Sequence, residues 1–269
     1  MERMVAFDIE TAKITPEGAD LRKERPLGIT CVGLYYPDGV STRYYHQTSE
    51  RDEPHGEMSV AQCGIVLRDL ARMTGQGYKV ISHNGAGFDL DILGEEAGLR
   101  YFAGQLARAH YDMMLEILTI MGYPIGLAAL AKGLGLGEKH EGISGASAPE
   151  LWAQSQESRY KVLEYVVQDA KLTLDVFQAV EERGELVWIT KKGKKKVEPW
   201  HGWHTVAECL ASEQKMVDWI KNPLRRSEMT QWINLANFQT TDAEKRLWLW
   251  ESKSATPQHM AHATRSGRA

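Results

Sequence analysis

The 269-residue sequence predicts an α/β protein, a mixed sheet with helices packed on it. Three observations predict this class. Two β-rich runs early in the chain are joined by a turn signal. Strand-like runs then alternate with segments of helical spacing. The chain next becomes wholly helical up to about residue 183.

The elements follow in order. Residues 3–9 read as a short apolar strand. Residues 29–36, Ile-Thr-Cys-Val-Gly-Leu-Tyr-Tyr, are rich in β formers and end at Pro37-Asp38-Gly39, a turn signal leading into a second β-rich run over 40–46. A hairpin is expected there. Residues 58–74 place Val60, Cys63, Leu67, Leu70 and Met73 at helical spacing. Residues 78–82 read as another strand, a helix should begin near Asp89, and a short strand should precede Asp112. Apolar residues at three- and four-residue intervals predict helices over 113–121, 127–134 and 158–182, with the glycine-rich stretch 133–145 as a loop.

From residue 184 the character changes. Seven of the eight tryptophans lie there, at 188, 200, 203, 219, 232, 248 and 250. The shift divides the chain into a unit over 1–183 and a C-terminal appendage over 184–269. Residues 186–190 and 197–200 flank Lys191, Lys192, Lys194, Lys195 and Lys196, which suits a basic-tipped hairpin. Residues 204–220 read as a helix stopping near Asn222-Pro223, and the polar, small residues 258–269 as a disordered tail.

Composition limits the function classes. Apolar content of 43% and charged content of 25% are ordinary for a globular protein. No run approaches the roughly 18 apolar residues of a membrane span. The start of the chain lacks a basic region followed by an apolar run, so no secretory signal is expected. Cys31, Cys63 and Cys209 fit neither a disulfide framework nor zinc spacing, which points to a reducing cytoplasm. The net charge of −4 is uneven: residues 1–183 carry 18 basic against 27 acidic side chains, residues 184–269 carry 14 against 9. The basic C-terminal part is either a polyanion-facing surface or a solvated one.

The first strand carries two acids, Asp8 and Glu10. Strand residues two apart share a face, so these carboxylates stand roughly 6.6 Å apart along one side. Such a pair on an apolar strand is costly without a cation or a partner. A second acid, Asp89, ends the stretch Ser82-His83-Asn84-Gly85-Ala86-Gly87-Phe88-Asp89, whose glycines allow a tight strand-to-helix turn. Asp89 would sit in a first helical turn, and there it also reads as a simple cap. Tyr165 and Asp169 lie four apart on one helical face, an arrangement that by itself also suits a structural pair. Taken together, Asp8, Glu10, Asp89 and Asp169 form a hard-oxygen set suited to two Mg²⁺ or Mn²⁺ ions rather than zinc. Paired ions of that kind promote in-line attack at a phosphodiester.

The segments Phe7-Asp8-Ile9-Glu10-Thr11, Asn84-Gly85-Ala86-Gly87-Phe88-Asp89 and Tyr165-Val166-Val167-Gln168-Asp169 resemble the three exonuclease motifs of the DEDD superfamily. Tyr165, four residues before Asp169, matches the DEDDy branch; the other branch has His where this chain has Glu164. The form of the second motif is similar to the proofreading exonuclease domain of family B DNA polymerases. The resemblance covers residues 1–183 and implies a ribonuclease H-like five-stranded mixed sheet with 3′→5′ exonuclease activity. The residues that remain are too few for a polymerase domain, so a stand-alone nuclease is expected.

Carried over by position, the resemblance gives Asp8 the bridge between two metals. Glu10 and Asp169 would complete the water-activating site, and Asp89 would hold the second metal. Tyr165 would orient the attacking water. Thr11, Asn84 and Phe88 would grip the terminal nucleotides, and Asp112 would either support the site from behind or serve as an ordinary structural acid. The implied partner is the 3′ end of a single strand, with DNA preferred over RNA. The appendage has no counterpart in the resemblance. Its lysines either contact phosphates or protect a sheet edge, and its tryptophans either stack on bases or form a small core. An exoribonuclease and a non-catalytic nucleic-acid-binding module are the competing readings; an endonuclease or integrase of the same fold is a third, disfavoured by the tyrosine motif.

Overall fold

The computed structural model describes residues 2–16, 18–21, 23–37, 42–137 and 143–238. Its centre is a five-stranded sheet of order β3-β2-β1-β4-β5. Strands β1 (Met4–Thr11), β2 (Ile29–Tyr35) and β3 (Thr42–His46) form an antiparallel meander. The predicted turn residues Asp38 and Gly39 lie outside the described residues. On the other side of β1, β4 (Lys79–Ser82) and the two-residue β5 (Tyr111–Asp112) run parallel. This is the mixed five-stranded sheet that the sequence predicts.

Helices cover both faces. One core holds Val5, Phe7 and Ile9 of β1 with Leu67 and Leu70 of α1 (Val60–Gly75), Leu90 and Leu93 of α2 (Asp89–Glu96), and Phe102 and Leu106 of α3 (Arg100–Ala109). The other holds Met4 and Ala6 of β1 with Ile117 of α4 (Met113–Met121), Leu130 of α5 (Leu127–Leu134), and Leu174 and Phe177 of the 28-residue α7 (Gln156–Arg183). A short α6 (Ala148–Gln154) precedes α7 and buries Trp152. α1 begins on a capping box, Ser59 with Gln62, and α7 ends on left-handed Gly184.

The segment beyond Gly184 packs on these same cores. The hairpin β6 (Glu185–Ile189) and β7 (Lys195–Pro199) lies on α5, where Gly133 has no side chain and lets the Trp188 backbone approach. Trp188, Trp200 and Trp203 are buried, and Trp203 stacks on Phe177 with ring centroids 5.2 Å apart. The helix expected over 204–220 is shorter: α8 (Val206–Ala211) stops at extended Ser212, and the Arg226 guanidinium takes the carbonyls of Cys209 and Ser212 that end it. A further helix, α9 (Arg226–Phe238), buries Met229, Trp232 and Ile233 in the first core. Trp219 is exposed. Trp248, Trp250 and the tail 258–269 lie outside the described residues. All three cysteines are buried thiols, and among the described residues no helix is long and apolar enough to cross a membrane.

Candidate active site

The period of two along β1 decides where its acids point. Odd residues 5, 7 and 9 enter the core under α1–α3; even residues 4 and 6 enter the core against α7, so Asp8 and Glu10 follow them to the α7 side. Opposite them in β2 stand Gly33 and Cys31. Gly33 is what lets α7 lie close. A Cβ there would stand 2.9 Å from Val167 Cγ2 and 3.0 Å from the Val166 carbonyl carbon. The helix therefore rests on bare backbone, and its i, i+4 pair Tyr165 and Asp169 comes over the strand.

The electrostatics report this convergence from two directions. The Tyr165 phenol is held well above its ordinary range by burial first, then by the charges of Asp169, Glu10 and Asp8, and by its own hydrogen bond to Asp169. From the β2 side, burial and the charges of Glu10 and Asp8 push the Cys31 thiol far up as well. Glu10, Asp169 and Tyr165 are buried, while Asp8 is only partly so. Two probes on different elements thus feel the same carboxylates.

Asp89 reaches the same strand from the opposite side. Pairing of β1 with β4 covers only Met4–Ala6. Beyond it, the Asp89 carboxylate comes close enough to the Ile9 backbone N–H for that group to lower its pKa. Ile9 sits between Asp8 and Glu10, so Asp89 faces the acid-bearing strand; it does not cap α2, whose N-cap position is Phe88 with no side-chain cap bond. Burial first and the neighbouring charge of Asp112 second raise the Asp89 carboxyl, against its own N–H and that of Ile9, which lower it.

In the loop that delivers Asp89, Asp112 and Ser82 take the N–H groups of Asn84, Gly85 and Ala86. Asp112 Oδ1 accepts Asn84 N–H at 2.9 Å and Leu115 N–H at 3.1 Å, and Oδ2 accepts Ala86 N–H at 2.8 Å. Gly85 N–H donates to Ser82 Oγ at 3.0 Å. His110 Nδ1 faces the Ala107 carbonyl at 2.8 Å and must donate to it, so in the neutral ring Nε2 accepts the Ser82 hydroxyl at 3.0 Å. Burial lowers the His110 pKa, consistent with that neutral form. Asn84 takes a positive φ of 84°, and a Cβ on Gly85 would overlap the Ser82 side chain.

The remaining sequence candidates fall elsewhere. Thr11 is buried just past a register shift at the end of β1. Phe88 leans on the core around α2. Asp112 bonds the loop backbone, an arrangement that suits either of its two readings. The five lysines are exposed on the hairpin that starts at Gly184, about 22 Å along α7 from Asp169. Among the described residues, none of them pairs with an acid of the site. Sequence reasoning missed Gly33, whose only signal was a glycine inside a β-rich run.

Whether these residues suit a metal can be tested on the donors themselves. Among the described residues, no group of three or more His, Cys, Asp or Glu side chains is drawn together closely enough to ligate an ion. In kind, however, the donors fit: four carboxylates on β1, α2 and α7, three of them in one electrostatic neighbourhood, form a hard-oxygen set for a divalent cation.

Among curated proteins, none matches the sequence. Among solved structures, the family B DNA polymerase from the hyperthermophilic archaeon Pyrobaculum calidifontis aligns with 67% of this chain at 19% identity and a TM-score of 0.47. That alignment spans 25% of the polymerase, so this chain corresponds in extent to about a quarter of it. The family model RNase_H_2, described as RNase_H superfamily, matches residues 5–181, which run from β1 through the Tyr165–Asp169 face to the end of α7. The chain belongs to the RNase H superfamily.

Proposed function

We propose that the chain is a metal-dependent 3′→5′ exonuclease that removes nucleotides from single-stranded ends, with DNA as its substrate. Membership of the RNase H superfamily supports nuclease-type phosphodiester hydrolysis, and ribonuclease H-like nucleases generally use divalent metals. The observation that carries the finer reading is the Tyr165 hydroxyl held beside Asp169 within the field of Glu10 and Asp8.

Asp8, Glu10, Asp89 and Asp169 would hold Mg²⁺ or Mn²⁺, which when bound neutralises charge at the scissile phosphate and eases ionisation of water. The protein's own groups do the rest. Tyr165, its proton retained at neutral pH, offers a fixed hydrogen-bonding hydroxyl that orients the attacking water. Burial of Glu10 and Asp169 shields their oxygens from bulk water. By motif position Asn84, Phe88 and Thr11 are assigned to the terminal nucleotide; of these, Phe88 packs on the core around α2 and Thr11 is buried. The exposed lysines 191, 192, 194, 195 and 196 offer phosphate contacts farther along the strand.

A time course on 5′-labelled single strands of DNA and RNA, with and without EDTA, tests the reading. A metal-dependent descending ladder on DNA is expected, with a circular single strand left uncut. Shortening of RNA alone would assign an exoribonuclease. If every end stays intact in Mg²⁺ and Mn²⁺, the enzyme reading fails in favour of a binding module.

A further inference from the structure

The segment after Gly184 reaches into the loop that carries Asp89. Trp232 of α9 donates its indole N–H to the Ala86 carbonyl at 2.7 Å, and both residues are buried. Ala86 is then gripped at both ends of its backbone: its N–H by Asp112 Oδ2 at 2.8 Å, its C=O by Trp232. One turn earlier on the same helix face, Met229 presses on Gly87, where a Cβ would stand 2.9 Å from Met229 Cε. The helix is itself fixed. Arg226 ties its start to α8, its N–H bonds Gln214 Oε1 at 2.9 Å, and Ile233 is buried with Phe7 and Leu90.

We infer that Trp232 is a positioning residue of the nuclease centre, and that α9 is a working part of it rather than a neighbour. This rests on the exonuclease reading above. Ala86 lies three residues before Asp89, and the intervening Gly87 and Phe88 are held by the Asn84 carbonyl and by Ile92, respectively. Without the indole N–H, the Ala86–Gly87 peptide plane would be held only by the Gly87 N–H bond to the Asn84 carbonyl, and the stretch that pivots on it would loosen. A buried carbonyl left without a donor is also unfavourable, so the loop would sample other conformations. Asp89 would then lose its fixed place beside the Ile9 N–H, while Asp8, Glu10, Tyr165 and Asp169, set by β1 and α7, would not move.

The test is Trp232→Phe in the full chain, which keeps an aromatic ring in the core and removes the donor. Amide hydrogen exchange over residues 84–89 should speed up about tenfold, with β1 and α7 unchanged. In the nuclease assay, kcat should fall about tenfold with the oligonucleotide KM unchanged, and half-maximal activity should need more Mn²⁺. Asn234→Ala, which removes only the exposed bond to Arg108, should change neither readout. Should Trp232→Phe fail to fold, the sulfur isostere of tryptophan, benzothienylalanine, placed at 232 by amber suppression, removes the N–H with the ring area retained. Unchanged exchange over 84–89, or a fall in kcat matched by a rise in KM, overturns the inference. An inactive wild type defeats the exonuclease reading instead, and the exchange measurement still decides whether Trp232 anchors the loop.

Discussion

The two halves of the candidate site are built in different ways. Asp8, Glu10, Tyr165 and Asp169 ride on regular elements, a strand of period two and a helix of period 3.6, and Gly33 lets the two come close. Asp89 arrives on an irregular loop whose shape depends on distant side chains: Ser82, His110, Asp112 and Trp232. The first half can fail only through its own residues or through packing. The second half can fail through groups that never approach a substrate.

Substitutions separate the halves, beginning with the largest effect. Asp8→Ala should lower the cleavage rate on labelled single strands by about a thousandfold or more with folding intact, since Asp8 is only partly buried. Retention of wild-type rates would remove β1 from the chemistry. In the loop half, Asp112→Ala leaves the N–H groups of Asn84, Ala86 and Leu115 without their acceptor and should cost about 3 kcal/mol, read from the urea midpoint. A variant as stable as the wild type would mean that the loop holds itself.

Tyr165→Phe should reduce the rate by about a hundredfold at nearly unchanged stability. The opposite pattern, stability lost and rate kept, would make Tyr165 and Asp169 a structural pair. Gly33→Ala drives a methyl into Val166 and Val167 and should cost about 2 kcal/mol, with some loss of rate as α7 is pushed off β1. If chemical denaturation finds no change, the close approach is not under strain.

The smallest effect lies outside both halves. Buried Glu116 accepts the His204 N–H at 2.9 Å and faces its Nδ1 at 2.7 Å. Burial raises the Glu116 carboxyl from its ordinary 4.5 to about 7, against the His204 contacts that lower it, and the bond to Glu116 raises His204. Both shifts are upward, so the folded pair holds its protons more tightly than the unfolded chain. Its stability contribution is present in full below about pH 4.5 and is lost as pH rises through 7. Because His204 is half exposed, the change should be only about 1 kcal/mol, and Glu116→Gln should flatten it in thermal melts between pH 5 and 8.

The regular half was also the legible half. Alternation placed Asp8 and Glu10 on one face, and four-residue spacing placed Tyr165 with Asp169; both arrangements follow from local geometry. Helices α4 and α5 were readable to the residue because large apolar residues recur at three- and four-residue spacing, Met113, Ile117 and Met121 in α4 and Leu127, Leu130 and Leu134 in α5. What stayed hidden depends on tertiary contacts. The buried face of α3 includes Ala103, Gly104 and Ala107, too small to give a strong apolar signal. Helix α9 carries Met229, Trp232 and Ile233 at proper helical spacing, but its tryptophan belonged to a cluster that read as a separate appendage. The predicted 204–220 helix ran too far because Val217 and Ile220 continue the apolar period, whereas Arg226 ends α8 from fourteen residues beyond Ser212.

Helix α7 has a further consequence, for how the protein can change over time. It carries Tyr165 and Asp169 near one end and the lysine hairpin from Gly184 at the other. Inserting or deleting a single residue between them would swing the hairpin by about 100° around the helix axis and pull Trp188 off Gly133. Only steps of about a whole turn, three or four residues and roughly 5 Å, would keep both ends in phase. Descendants of this chain should therefore vary the hairpin tip freely, while the length of α7 between Asp169 and Gly184 changes by turns or not at all.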